Sequence, residues 1–169
     1  MILIKLILIT IVFICLVFGV KYLLLIQAKQ DSDKAFAGVY NKLQPQYDAI
    51  INLFSQFPVL SLENRTLVQS TKKLISTAQE FTIEKDGNER IIGYANSILD
   101  NVQKFAVSIL EKEPENEPLK KYNYLLAVFN KPKEDYNKSA QRLKHYVDTF
   151  PTSFYARLKN IKTMDFFSC

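Results

Sequence analysis

Residues 2–26 form one apolar stretch, broken only by Lys5 and Lys21. A helix rises about 1.5 Å per residue, so a hydrocarbon core of roughly 30 Å takes about 20 residues. This stretch supplies them, and it is read as an uncleaved single-pass anchor over residues 1–30. A cleaved signal peptide has a shorter apolar core and small residues before the cut. Here Gly19 is followed by Val20, Lys21, Tyr22 and Leu23, with no small pair. Cys15 follows Val12, Phe13 and Ile14, which is no lipoprotein site, and no Glu stands a few residues after Gly19 as it would in a type IV pilin. For a span of about Leu6 to Ile26, Lys21 lies roughly 7 Å inside one boundary. Its aliphatic stem can carry the ammonium out to the interface, which makes it a snorkelling residue and not an intramembrane relay.

Two signals oppose each other over orientation. Lys5 precedes the span, while Lys29, Lys34 and Lys42 follow it, a count that favours the C-terminal part inside. A short Lys-bearing start before a long apolar run is also the form of a signal anchor with its N-terminus inside. The expectation taken forward is a single-pass membrane protein whose domain lies outside the cytoplasm.

The chain carries a formal net charge of +5, but residues 31–169 hold 19 basic and 17 acidic residues, a net of +2. A nearly balanced domain has no electrostatic stripe for a phosphate backbone, so no nucleic-acid partner is expected. Some 139 residues suffice for one domain with its own core, assigned to 31–169. The two cysteines, Cys15 in the span and Cys169 at the far end, are not expected to bridge within the chain.

Beyond the anchor only Gly38, Gly87 and Gly93 occur, and the apolar spacing is helical throughout. Phe36, Tyr40, Leu43, Tyr47, Ile50, Phe54 and Phe57 alternate steps of four and three, a heptad seam on a helix over about 31–57. Nothing separates this helix from the anchor, so the two are expected to be continuous, with a kink at Pro45. Phe57-Pro58 ends it. A weaker helix over about 61–83 carries Leu60, Leu67, Leu74, Ala78 and Phe81, with Asn64 and Thr71 on its seam; a turn follows, with Gly87 as the helix stop. The third helix, about 88–113, has Ile91, Ala95, Ile98, Val102, Phe105 and Ile109 in register, widened by Ile92, Leu99 and Ala106.

A Pro-marked acidic connector from Glu113 to Pro118 leads to the fourth helix, about 116–150. Its seam runs through Leu119, Tyr122, Leu126, Phe129, Lys133, Tyr136, Ala140, Leu143, Val147 and Phe150. Pro132 marks either a kink in one helix or a joint between two coaxial ones. Phe150-Pro151 ends it, and the tail 152–169 is apolar enough to fold back. The fold class is all-α: an N-terminal transmembrane helix followed by an antiparallel three- to four-helix bundle of long helices.

Three places in this chain resemble the LemA family of membrane-anchored bacterial helical proteins. Tyr47, Asp48, Ile50, Asn52 and Leu53 are similar to that family's Tyr-Asp-x-Ile-x-Asn-Leu signature in its first soluble helix. Tyr136-Asn137 followed by Phe150-Pro151 has the family's spacing, and Ala156, Leu158, Ile161, Lys162, Phe166 and Phe167 stand at its offsets after Phe-Pro. The match covers residues 31–60 and 130–168; the middle departs from it. The Leu-x-x-x-Glu-x-x-Ile-x-x-Ala-Arg run before Tyr-Asn is missing, and Leu143-Lys144 stands where a second Tyr-Asn pair is usual. The resemblance implies a diverged member: an anchored long-helix bundle of the cell envelope with no established activity. A rival likeness, of Tyr146 to Ala156 to a tetratricopeptide turn, lacks the second copy that a repeat of about 34 residues requires.

No constellation points to catalysis. His145, the single histidine, stands one turn before Asp148, but its neighbours Lys144, Leu143 and Val147 make it a solvated helix position. No Glu-x-x-His pair, metal-ligand spacing, nucleophile elbow or phosphate loop occurs, and Glu111, Glu113, Glu115 and Glu117 form a solvated run. No enzyme and no cofactor are expected. Asp48 and Asn52 share a helix face at i, i+4 and are the candidates for contact with a partner or within the bundle. The other motif residues, Tyr47, Tyr136, Asn137, Phe150, Pro151, Ala156, Phe166 and Phe167, read as mainly structural. The expected function is a non-catalytic scaffold or partner-binding bundle, meeting the bilayer through its anchor and a protein partner or itself through the bundle. The alternatives are a ligand- or partner-responsive sensor, or a tetratricopeptide-like assembly protein.

Overall fold

The computed structural model describes residues 2–112 and 117–168, and every regular element among them is helical. They are α1 (Ile2–Gln56), α2 (Pro58–Glu63), α3 (Arg65–Gln79), α4 (Ile83–Lys112), α5 (Glu117–Asp148) and α6 (Thr152–Leu158). Glu113 to Asn116, most of the predicted connector, and Cys169 lie outside the described residues. The fold class is all-α, as the spacing predicts.

The apolar stretch and the first heptad seam form one helix of 55 residues, with no break at Pro45. A proline removes one N–H and crowds the carbonyl four residues back. That carbonyl belongs to Asn41, which is exposed, so water can take the orphaned acceptor and the helix continues. Pro132 is likewise internal to a single helix, α5, and Val128 four residues before it is 42% exposed.

The second predicted helix is corrected in two ways. It is split into α2 and α3 at Asn64, whose side-chain amide donates to the Leu60 carbonyl at 3.0 Å. The backbone N–H of Asn64 bonds the same carbonyl at 2.9 Å, so the ladder bond is kept there, and the split lies in the backbone of Asn64 itself, at φ −99° and ψ 31°. Thr71 and Ala78 of the predicted seam are buried, but Val68 and Ile75 are buried beside them, while Leu67 and Leu74 are only half-buried. α3 also ends earlier than expected, at Gln79. The turn before the third helix is helical from Ile83, but Gly87 interrupts it at φ 73°, ψ 161°. An L side chain avoids that backbone region, but α3 has already ended at Gln79, so Gly87 interrupts the start of α4 and is not the stop of the second predicted helix.

The chain forms two compact units. The first comprises Met1–Ala35 and Lys138–Met164. In it the last turns of α5 run antiparallel to α1, with Arg142 3.6 Å from Asp31 and the Phe150 ring 5.9 Å from Phe18. Leu25, Ala28, Leu143 and Ala156 form its core, lined by Tyr146, Val147, Tyr155, Ile161 and Met164. The second comprises Phe36–Asn137 and Asp165–Cys169. It is an up-down-up-down bundle of the second half of α1, α3, α4 and the first part of α5. Phe54 meets Phe105 edge to face at 4.9 Å, Phe81 meets Tyr94 at 4.8 Å, and Phe36 meets Tyr136 at 5.5 Å. The predicted α1 and α4 stripes are its core: Phe36, Leu43, Tyr47, Ile50, Phe54, Ile91, Ala95, Ile98, Val102, Phe105 and Ile109 are all buried.

Phe150 departs from its expected place. It stands in phase with the α5 seam, yet it is 73% exposed. α5 stops at Asp148, so the helical register that would turn residue 150 inward ends two residues too early.

Candidate functional site

The tail after α6 is irregular and lies in the second unit from Asp165 onward. Two asparagines strap it down. Asn137 on α5 donates from Nδ2 to the Phe167 carbonyl and accepts the Phe167 N–H at Oδ1, both at 3.0 Å. Asn96 on α4 donates to the Phe166 carbonyl at 3.1 Å and accepts the Ser168 N–H at 2.9 Å. The Tyr136 hydroxyl donates to the Asp165 carbonyl at 2.9 Å, and the Lys133 ammonium donates to that of Ser168 at 3.2 Å. A carboxamide presents a donor and an acceptor side by side, so each asparagine pairs with the extended backbone as a neighbouring strand would. The Phe167 ring then enters the core against Phe129 and Tyr136, at 6.0 and 5.5 Å.

Next to this strap, α4 and α5 leave a cavity of about 500 Å³. Leu99, Ala106, Val107 and Leu110 form one wall, with Tyr122 and Leu126 opposite. Val107 and Leu110 are each half exposed. Asp100, Gln103, Asn123, Asn130 and Lys133 stand at the rim. Two of these are already engaged: Asp100 pairs with Lys104 at 2.7 Å, and Lys133 holds Ser168. Burial pushes the Tyr122 phenol up to about 12, so it is a neutral donor at physiological pH. The arrangement offers apolar area with a polar edge, which suits an apolar side chain or a helix face.

Asp48 and Asn52, the candidates for partner contact, stand apart from this cavity, on the exposed face of α1. Asp48 accepts from Gln44 at 3.5 Å and Asn52 from Gln56 at 3.1 Å, both neighbours on the same helix. Tyr47 is buried; burial, with Tyr40 adding to it, pushes its phenol well above the ordinary value. It lines a second cavity of about 270 Å³ with Tyr40, Gln44 and Ile91. Of the motif residues, the fold brings Tyr136, Asn137, Phe166 and Phe167 together. Phe150, Pro151 and Ala156 belong to the first unit instead. Asn96 completes the strap without any mark in the sequence, because a half-buried Asn beside a core stripe carries no spacing signal.

His145 is exposed and turns its ring toward Tyr146 at 5.8 Å, while Asp148 pairs with Lys144 at 2.9 Å. An acid–base pair of His145 and Asp148 is therefore not assembled. Among the described residues, no group of three His, Cys, Asp or Glu side chains could hold a metal ion. One helix, α1, is long and apolar enough to cross a membrane, and its apolar window is wholly unburied. Compared with known proteins, the chain matches no family model, no curated protein and no solved structure.

Proposed function

We propose that this chain is a LemA-like, single-pass membrane protein of the bacterial envelope that acts by binding a protein partner through its bundle, not by catalysis. The observation that carries the reading is the open α4–α5 groove. Its apolar wall is left to water at Val107 and Leu110, while charged groups at its rim are engaged within the chain. An open apolar wall with a polar rim is the form of groove that receives a helix face. The anchor reading draws on the exposed apolar side chains of α1 from Ile4 to Val20. The family reading draws on Tyr136-Asn137 and Phe166-Phe167, motif residues that meet in the strap.

A photo-crosslinking residue placed at Val107 or Leu110, in full-length protein in its native membrane, tests the reading. The expected result is a discrete adduct that an equivalent probe at Ser76, on the exposed side of α3, does not form. Equal labelling at both positions, or none at the groove, removes the partner-binding role. The groove volume is also within the range of small-ligand pockets, which favours the sensor alternative. A small apolar molecule that blocks the adduct and raises thermal stability would decide for that alternative.

A further inference from the structure

The corner joining α5 to α6 packs on the membrane-spanning part of α1. The Phe150 ring meets Phe18 at 5.9 Å, and Tyr155 meets Phe18 at 6.3 Å and Tyr22 at 5.2 Å. The exposed apolar side chains of α1 continue to Leu23, and Leu25 and Ala28 just beyond it are buried in the core of the first unit, so the span ends near Leu23, short of the Ile26 expected from the sequence. Phe18 therefore stands about 7 Å inside that boundary, roughly one and a half turns of helix. Whatever touches Phe18 shares its depth.

The corner is composed for such a place. α6 buries Thr152 and Ala156 on one face, against the core of its own unit. The other face presents Phe154 and Leu158, 56% and 66% exposed, beside Phe150 at 73%. Residues 149–164 contain Arg157, Lys159 and Lys162 and no acidic residue. All three basic side chains are exposed, as is Lys21 on α1. Aromatic and aliphatic side chains bordered by cations, with no acid among them, match the interfacial zone of a bilayer with anionic headgroups. A protein partner is a weaker fit, because the same corner packs through Phe150 and Tyr155 on Phe18 and Tyr22 of the span.

We propose that the α5–α6 corner is a second membrane contact: Phe150, Phe154 and Leu158 enter the interface of the bilayer that α1 crosses, and Arg157, Lys159 and Lys162 meet its phosphates. This inference rests on the anchor reading of α1. The full chain would thus be held at two points, which restrains rotation about the anchor and gives the first unit a defined attitude to the membrane.

The chain contains no tryptophan, so a single introduced one is an unambiguous reporter. Phe154→Trp, Leu158→Trp, Phe13→Trp and Gln141→Trp would each be reconstituted, as full-length protein, in phosphatidylcholine–phosphatidylglycerol vesicles with brominated acyl chains. Gln141 is exposed and adjoins Arg142, which pairs with Asp31 some 20 Å along α1 from Phe18. Phe13→Trp should be quenched most, Gln141→Trp hardly at all, and Phe154→Trp and Leu158→Trp in between, by at least about a third of the Phe13→Trp effect, with blue-shifted emission. Quenching at Phe13→Trp with none at either corner reporter overturns the corner contact and leaves the anchor standing. A blue shift at the corner that brominated lipid does not quench overturns it in favour of a protein neighbour. No quenching at Phe13→Trp overturns the anchor, and the corner contact falls with it. Using two corner reporters guards against one substitution disturbing the fold, which circular dichroism of each variant checks.

Discussion

Asn137 takes the part of two ordinary side chains, since both ends of its carboxamide are used on one residue of the tail. Each net hydrogen bond is worth about 1 kcal/mol, and more where a partly buried partner is left unsatisfied. Asn137→Ala is expected to cost about 2–3 kcal/mol in denaturant unfolding and to raise hydrogen exchange at Phe167 and Ser168. An unchanged midpoint would mean that the Phe167 ring, not the clamp, holds the tail. The buried phenols make a pH prediction of their own. Tyr122 is pushed up to about 12 by burial, and Tyr47 is raised further. The folded state thus holds these protons more tightly than the unfolded chain does. Their contribution is complete below pH 10, the ordinary value, and is lost as pH rises through about 12. Tyrosinate absorbance should show a late ionisation step, from Tyr47 and Tyr122, that coincides with loss of helical circular dichroism. Ionisation of all nine near the ordinary value, with the helix intact, would contradict the burial. At this scale the sequence showed that Tyr47 and Tyr122 face the core, because heptad spacing is a local property. It did not show what Asn137 bonds, because its partner lies 30 residues away.

Two helix irregularities have opposite consequences. Gly87 sits at φ 73°, ψ 161°, a conformation nearly restricted to glycine, and open space surrounds the position where a Cβ would stand. The penalty for a side chain there is therefore one of backbone, not of packing. Gly87→Ala should destabilise the protein by about 1–3 kcal/mol and raise hydrogen exchange in the first turns of α4, as chemical denaturation and hydrogen exchange would show. Pro132, by contrast, lies within a helix that continues past it. Pro132→Ala restores an N–H donor toward the Val128 carbonyl and should raise the unfolding free energy by about 1–3 kcal/mol. A loss of stability there would show that α5 needs the proline's local bend for its packing. Element boundaries were legible where an X-Pro pair marks one, as at Phe57-Pro58. They were misread where the spacing marks no break, as at Asn64, or where the helix stops before the proline, as at Asp148. Past Asn64, Val68 and Ile75 take the core places expected of Leu67 and Leu74, while Thr71, Ala78 and Phe81 keep theirs.

At the scale of the molecule, one long helix gives each compact unit part of its core: Leu25 and Ala28 for the first, Phe36 to Phe54 for the second. Loosening the first unit should then be measurable without touching the second. Ala156→Asp places a carboxylate at a site only 1% exposed and should cost several kcal/mol locally. Exchange at residues 138–164 should rise while that of Ile91 to Ile109 stays low; protection lost equally everywhere would show a single cooperative unit. The sequence by itself determined that the chain is helical, that its first part is long and apolar enough to cross a membrane, and which stripes of α1, α4 and α5 are buried. Those properties follow from periodicity and composition, which a chain carries along its length. Only the tertiary structure decided that Phe150 faces outward, that Asn96 and Asn137 share the tail, and that α4 and α5 leave a groove between them. Each depends on which distant residues become neighbours, and on where a helix stops within a turn of its expected end. A linear pattern carries neither quantity.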